Sequence, residues 1–219
     1  MATGTCPQHH QECADSERER WNTAPNLITL VRTVVAVALA LGAAPQQSLT
    51  WVLAVTAVYW VGDMADGAVA RWLRRETRTG AVLDIACDRA CAGAIYVSLV
   101  WLMPQMWLPI AVYLLSFSVL DLMLSLSFLR FPLASPNYFF LVDPTIYRWN
   151  WSPPAKGVNS ALFLAVVVLV GIPAVALALA CLLLLLKAAS LRLLAAVPAP
   201  PADQDCAHAL RSDHPASSS

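Results

Sequence analysis

Charged residues are scarce in this sequence. Asp, Glu, Lys and Arg make up only 13% of its 219 residues, and acids and bases balance to a formal net charge of zero. A chain with no excess of positive charge lacks the electrostatic footprint of a nucleic-acid-binding protein. Hydrophobic residues, by contrast, make up 58% of the chain and fall in long blocks, which is typical of a multi-pass membrane protein. We therefore expect an all-α fold that spans a membrane several times, with no nucleic-acid partner.

The two ends of the chain lack strong structural signals. No positively charged segment precedes a short apolar core, so we expect no cleavable signal peptide. Potential zinc ligands stand near the N-terminus at Cys6, His9, His10 and Cys13. Because this segment has no second zinc knuckle, we prefer a flexible tail over residues 1–20 to a zinc site. Residues 195–219 are rich in Pro, Ala and Ser, and we predict a disordered tail there.

Between these ends, six stretches approach the length of about 20 residues that a helix needs to cross a bilayer core. We predict transmembrane helices at 27–43, 49–70, 80–103, 108–129, 158–170 and 173–189. The fifth is short, and Gly171-Ile172-Pro173 is either a tight turn or a kink in one long helix. Residues 21–194 would then form one transmembrane domain.

Basic residues lie in every second linker between the predicted helices. They lie between the second and third helices, after the fourth, and at the end of the sixth, at Arg71, Arg74, Arg75, Arg78, Arg130, Arg148, Lys156, Lys187 and Arg192. The other linkers have none, which by the positive-inside rule places them outside. We therefore predict an integral protein of the cell membrane with both termini in the cytoplasm.

Four aspartates interrupt the second and third predicted helices. The run reads Asp63-x2-Asp66-Gly67-x2-Ala70-Arg71-x8-Gly80-x3-Asp84-x3-Asp88. Carboxylates at membrane depth are costly unless they are paired or bind a cation, and residues three or four apart share one face of a helix. Two such helices side by side would form an oxygen-rich pocket, which suits Mg²⁺ or Mn²⁺ bridging protein carboxylates to a phosphate. The active site would then lie on the cytoplasmic side.

The residues around the aspartates fit a diphosphate ligand. Gly67 leaves a gap in the helix surface where a nucleotide could approach the backbone, and Arg71 offers a planar fork that suits phosphate. Thr77 adds a hydroxyl, and Gly80 would let the third helix begin close to the ligand. These positions predict a metal-bound diphosphate at the cytosolic membrane face.

The run from Asp63 to Asp88 resembles the signature of the CDP-alcohol phosphatidyltransferase family, with every defining position filled. Upstream, the segment 25–32 resembles the one that opens the first span in this family. The resemblance covers roughly residues 21–192. It implies transfer of the phosphatidyl group from CDP-diacylglycerol to the hydroxyl of a small polar alcohol, with release of CMP, and it implies a homodimer.

The resemblance also implies a role for each matching residue. Asp63, Asp66 and Asp84 would hold metal, and Asp88 would complete a site for two Mg²⁺ or Mn²⁺ ions and act as the general base. The positions that would contact the CDP-diacylglycerol donor are Asn26, Thr29, Asp66, Gly67, Arg71 and Thr77.

The acceptor alcohol is indicated by shorter matches. The segment 80–89 ends in Asp88-Arg89 and resembles phosphatidylinositol synthases, whereas relatives that accept glycerol phosphate commonly have lysine after the last aspartate. Asp121 and the segments 146–148 and 153–155 favour the same group. We predict inositol or inositol phosphate as the acceptor, with glycerol 3-phosphate as the alternative.

Four further polar residues could bind the acceptor: Asp121, Arg130, Arg148 and Lys156. The basic residues could hold an acceptor phosphate or could simply set the topology. Asp121 could instead have a structural role, in which its carboxylate forms a hydrogen bond with a neighbouring helix.

A cation or proton transporter is the rival interpretation, because carboxylates inside a membrane also mark ion pathways. That function would explain the acids but would give no role to Gly67, Arg71 and Gly80 at their spacing.

Overall fold

The computed structural model describes residues 10–15, 19–43, 48–72, 76–201 and 206–208, with the side chains of Ala43, Asp66, Ala70 and Arg71 left aside. Regular structure in these ranges is helical, apart from an isolated antiparallel β-bridge between Cys13 and Leu133.

The first half of the fold is built from long helices: α1 (Ala24–Ala43), α2 (Leu49–Trp72) and α3 (Arg78–Leu102). Helix α1 packs against both α2 and α3. Proline in the first turn suits α1, because the N–H that proline lacks would have no partner there. Helix α3 begins where the Thr77 side chain accepts a hydrogen bond from Gly80 N at 3.0 Å, which satisfies a donor of its first turn.

The fourth span combines short elements in one helical path. They are a 3₁₀ turn (Pro104–Met106), α4 (Trp107–Leu115), a π-helical segment (Ser116–Leu120), α5 (Asp121–Leu126) and a 3₁₀ turn (Ser127–Arg130). The π segment directly precedes Asp121, and such bulges occur frequently at functional sites.

The rest of the chain returns across the bundle twice. Its elements are a 3₁₀ segment (Pro136–Leu141), α6 (Pro144–Asn150), α7 (Pro153–Gly157), a π segment (Val158–Leu162), α8 (Phe163–Ala165), a π segment (Val166–Val170) and α9 (Pro173–Ala196). Gly171 between the last two has a φ of 66°, in the left-handed region that favours glycine. It forms a tight turn, so the alternative of one kinked helix is wrong.

Six helical stretches of the described chain are long and apolar enough to cross a membrane, which confirms the predicted all-α polytopic fold. The fifth stretch is longer than predicted, because it starts at Pro144 rather than near residue 158. Helix α6 buries Ile146 and Asn150. Because polar residues alternate with apolar ones in this helix, the sequence has no continuous apolar run there that would predict a span. The sixth extends to Ala196, seven residues beyond the predicted end at Ala189.

The apolar interior has two parts. One surrounds Leu99, Met106 and Phe163, and the other surrounds Phe128 and Phe139. Outside them, many large apolar side chains are exposed, as expected of a surface that faces lipid.

The segment 10–15 is packed against the protein. Ala14 N donates to Pro132 O at 3.1 Å and Ala134 N donates to Glu12 O at 2.9 Å. The Glu19 carboxylate accepts from the backbone N–H of Arg78, at 2.8 Å, and from that of Thr79, at 3.0 Å. Residues 10–15 are therefore held by backbone hydrogen bonds, whereas residues 1–9 and 16–18 of the predicted flexible tail lie outside the described residues.

Candidate active site

Arg32, in α1, is the centre of the first group of charged side chains. Its guanidinium donates to Asp63 Oδ1 and to Asp84 Oδ1, each at 3.0 Å, and to Asp88 Oδ1 at 3.4 Å. Its side chain is only 5% exposed, whereas those of Asp63 and Asp84 are 40% and 42% exposed. The arginine thus lies behind the carboxylates, and the carboxylates face open space.

Two neighbours allow this arrangement. Gly62 leaves room for the arginine stem, because a Cβ there would lie 2.7 Å from Arg32 Cδ. Tyr59 packs its ring 5.3 Å from the guanidinium carbon and donates its hydroxyl to Asp88 Oδ1 at 2.9 Å. Arg32, Tyr59, Asp63, Asp84 and Asp88 are called the Arg32 group below.

The Arg32 group fits a divalent cation. Oxygens of Asp63, Asp84 and Asp88 all lie within 4.8 Å of one another, and hard cations such as Mg²⁺ prefer carboxylate oxygens. Arg32 offsets only part of the negative charge, so the exposed oxygens still favour a cation. Asp66 lies on α2, but its side chain is outside the described residues, so its role stays a prediction.

The predicted donor-binding residues lie beside this group. Asn26 is buried and donates to Trp21 O at 3.0 Å, while Thr29 donates to Pro25 O at 3.1 Å. A Cβ at Gly80 would lie 2.9 Å from Asn26 Oδ1, so α1 and α3 approach closely here only because residue 80 is glycine. Arg71 lies on α2, with a side chain outside the described residues.

Asp121 is the centre of a second group, and it joins three spans. It pairs with Arg89 of α3 and, through Oδ1, with Lys187 Nζ of α9 at 2.7 Å. Arg89 also stacks over the Phe117 ring, with its guanidinium carbon 4.2 Å from the ring centroid. Arg89, Asp121 and Lys187 are called the Asp121 group below.

Further hydrogen bonds fix the Asp121 group. Lys187 Nζ donates to Asn150 Oδ1 at 2.8 Å, and Asn150 Nδ2 donates to Ser190 Oγ at 2.9 Å. Arg89 donates to Ser125 Oγ at 3.3 Å. Buried charges are stable only when they are paired and hydrogen-bonded. This network therefore explains how Lys187 can be buried on the otherwise apolar helix α9.

Apart from Arg32 itself, which lies behind the carboxylates, all members of both groups line one cavity of about 460 Å³. Its wall also includes Asn26, Thr29, Gly67, Thr77, Glu76 and Lys156. Lys156 is exposed and donates to Asn137 Oδ1 at 2.7 Å, while Glu76 accepts from the Tyr138 hydroxyl. Of the predicted acceptor-binding residues, the cavity therefore brings together Asp121 and Lys156. Arg130 and Arg148 are exposed and do not line the cavity.

Sequence reasoning did not assign a role to Arg32, Tyr59 or Arg89, and it treated Lys187 as a topology-setting charge. Two of these had a usable signal, because Arg32 and Lys187 each interrupt an otherwise apolar stretch. An ionisable residue at such a place is a functional candidate by default.

Comparison with known proteins identifies the family of the chain. The sequence model of the family described as CDP-alcohol phosphatidyltransferase matches residues 22–199. The chain belongs to this family. The match covers α1 to α9 and thus both charged groups.

Several curated members of the family are similar to part of the chain. The phosphatidylinositol phosphate synthase of Mycolicibacterium smegmatis is 42% identical over 82 residues, which are 37% of each protein. The Corynebacterium glutamicum enzyme of the same name is 39% identical over 77 residues, 35% of each. That of Streptomyces avermitilis is 36% identical over 77 residues. These alignments span about a third of the relatives' length. No solved structure matches the chain significantly.

Proposed function

We propose that this protein transfers the phosphatidyl group of CDP-diacylglycerol to a hydroxyl of an inositol phosphate and releases CMP. One observation carries the proposal: an open cluster of carboxylates and a group with excess positive charge line the same cavity. The first suits a metal-bound diphosphate donor, and the second suits a phosphorylated acceptor. Family membership and the names of the relatives support the same reaction.

In the proposed reaction, an acceptor hydroxyl oxygen attacks the phosphorus attached to diacylglycerol. A new P–O bond forms, the bond from this phosphorus to CMP breaks, and the hydroxyl proton passes to Asp88. The hydrogen bonds from Arg32 and Tyr59 both reach Asp88 Oδ1, and Oδ2 would receive the proton. Such general base catalysis typically contributes about 10²–10⁴-fold to the rate.

Asp63, Asp84 and Asp88 would hold the divalent ions, with Asp66 as the predicted fourth ligand. Two bound Mg²⁺ or Mn²⁺ ions would neutralise the donor diphosphate and stabilise the departing CMP. Arg32 would hold these carboxylates in place from behind. Asn26, Thr29, Gly67, Arg71 and Thr77 would contact the donor.

The acceptor phosphate would bind at the other side of the cavity. Arg89 and Lys187 outnumber Asp121, and Lys156 adds an exposed cation at the wall. Charge-assisted hydrogen bonds to phosphate are among the stronger contacts that a protein makes. Lys156 would contact the phosphate, and the Asp121 group would supply fixed positive charge next to it. The proposal assigns no acceptor contact to Arg130 and Arg148, because both lie outside the cavity wall.

The proposal includes the setting of the enzyme. The positions of basic residues support cytoplasmic termini and a cytoplasmic active site in the cell membrane. The homodimer rests on the family resemblance.

The test is CMP release by the purified protein in detergent with CDP-diacylglycerol and Mg²⁺. Inositol 1-phosphate, inositol, glycerol 3-phosphate and serine are offered one at a time, with a metal-free reaction as the control. We expect release with inositol phosphate that stops without metal. Release with glycerol 3-phosphate alone would establish the alternative acceptor. No release with any acceptor, together with Mg²⁺ flux into liposomes, would favour the transporter.

A further inference from the structure

The two ends of the described chain meet in a cluster of sulfur and imidazole ligands. Cys206 Sγ lies 3.7 Å from Cys13 Sγ and 3.6 Å from His10 Nδ1. Ligand atoms of these residues all lie within 4.8 Å of one another. We propose that this cluster binds a structural Zn²⁺ ion through His10, Cys13 and Cys206, with His208 as the fourth ligand.

The distances agree with tetrahedral zinc coordination. Zinc binds sulfur at about 2.3 Å and imidazole nitrogen at about 2.0–2.1 Å. At a tetrahedral angle, these bond lengths place two sulfurs about 3.8 Å apart and a sulfur and a nitrogen about 3.5 Å apart. The separations of 3.7 Å and 3.6 Å match both values. A disulfide would instead bring the sulfurs to about 2.05 Å.

His208 lies next to these three residues, although its ring nitrogens are not among the ligand atoms that lie within 4.8 Å of one another. Its ring centroid lies 4.3 Å from that of His10, and its Nε2 lies 3.6 Å from Glu12 Oε2. Histidines that bind a metal commonly pair their other ring nitrogen with a carboxylate. Glu12 would play this part, and a shift of the His208 ring would bring its Nδ1 to zinc as the fourth ligand.

The cluster lies in a folded environment. Cys13 and Ala207 are fully or almost fully buried, and Ala207 N donates to Cys13 Sγ at 3.4 Å. Cys13 also forms the β-bridge to Leu133. On the orientation proposed above, the cluster faces the cytoplasm, where cysteines stay reduced and are more often metal ligands than disulfide partners.

A zinc ion here would brace the end of the bundle that carries the Arg32 group. The loop beside Cys13 accepts hydrogen bonds from the Arg78 side chain through the carbonyls of Phe131 and Leu133. Arg78 is the first residue of α3, the helix that carries Asp84 and Asp88. Zinc would therefore connect both chain ends to the start of this helix.

The first test uses the full-length protein purified in detergent without added metal. We expect about one zinc per chain by elemental analysis, as for other closed structural sites. Replacement of the zinc by Co²⁺ should give the intense visible bands of a tetrahedral site and a thiolate-to-cobalt charge-transfer band. The Arg32 group offers only oxygen ligands and cannot give that band, so the two metal sites are distinguished. Absence of both zinc and the thiolate band in the wild type would overturn the proposal.

The second test assigns the ligands. The variants Cys13→Ser and Cys206→Ser should each lose the thiolate band and most of the zinc, whereas Cys181→Ser should keep both. Cys181 is the matched control because it is an exposed cysteine of α9 outside the cluster. A thiolate band that persists in the double variant would contradict the assignment, as would a Cys13–Cys206 disulfide detected by mass spectrometry in zinc-free protein. The wild-type measurements decide the question even if a variant fails to fold.

Discussion

The Arg32 group and the Asp121 group lie in one cavity but bury charge in opposite ways. In the first, a buried cation lies behind carboxylates that are up to 42% exposed. In the second, the anion and both cations are at most 13% exposed, and each is already paired. The same residue types therefore give one group that can receive a cation and another that presents a fixed excess of positive charge.

This contrast has a physical cause. Exposed carboxylates can bind a divalent ion that keeps several of its own water ligands, as Mg²⁺ usually does. The charges of the nearly closed Asp121 group lose their hydration when the protein folds. The group is stable only while these charges stay paired. The Arg32 group is thus suited to binding a metal ion, and the Asp121 group is suited to presenting positive charge to the cavity.

The largest effect on activity is expected from a substitution within the Arg32 group. Asp88→Asn should lower kcat by roughly a thousandfold, because the carboxylate that we propose as the general base is lost. Binding of CDP-diacylglycerol should change much less, since Asn keeps the shape of the side chain. The measurement is CMP release beside donor binding. Full activity in the variant would remove Asp88 from the role of base.

The next effect should appear in the stability of the Asp121 group. Asp121→Asn leaves Arg89 and Lys187 buried with no anion between them, which should cost about 3–5 kcal/mol. Lys187→Met leaves an Arg89–Asp121 pair and should cost less. Thermal unfolding of both variants in detergent gives the comparison. A Lys187 variant less stable than the Asp121 variant would contradict this charge balance.

A smaller effect concerns the close approach of α1 and α3 beside the Arg32 group. Gly80→Ala places a Cβ 2.9 Å from Asn26 Oδ1, and such overpacking typically costs about 1–3 kcal/mol. Because Asn26 is a predicted donor-binding residue, we expect this overpacking to raise the KM for CDP-diacylglycerol. Gly93→Ala is the matched control, because it lies on the same helix with no atom within 4 Å of the added Cβ. An equal KM in the two variants would show that Asn26 has no part in donor binding.

The smallest effect concerns the start of α3. Thr77→Ala removes the side-chain cap on Gly80 N, which should cost about 1 kcal/mol of stability. Thr77→Ser keeps a hydroxyl and should retain most of it. Unfolding temperatures of the two variants, measured side by side, check the cap. Equal losses in both would mean that the hydroxyl does not cap the helix.

The sequence predicted features that depend on local periodicity. The spacing of Asp84 and Asp88 places both on one face of α3, and hydropathy alone identified six spans. The aspartate pattern also implied that α2 and α3 approach each other, and the oxygens of Asp63 and Asp84 do meet in the structure.

Features that depend on distant partners were not predictable in this way. Nothing local to Arg32 shows that it reaches across to α2 and α3, and nothing local to Lys187 shows that Asp121 faces it. The contact of residues 10–15 with residues 206–208 joins the two ends of the described part of the chain. A single sequence carries no signal for such a pairing.

The most direct test of the proposed division of the cavity is acceptor selectivity, measured as kcat/KM for inositol 1-phosphate divided by kcat/KM for inositol. Lys156→Gln is compared with Arg148→Gln, since Lys156 lines the cavity and Arg148 is an exposed cation outside its wall. Loss of one charge-assisted contact to phosphate is worth about 1.5–3 kcal/mol. Our account predicts that the ratio falls at least tenfold in Lys156→Gln and stays within about twofold of wild type in Arg148→Gln. An unchanged ratio in Lys156→Gln, or an equal fall in both variants, would contradict it.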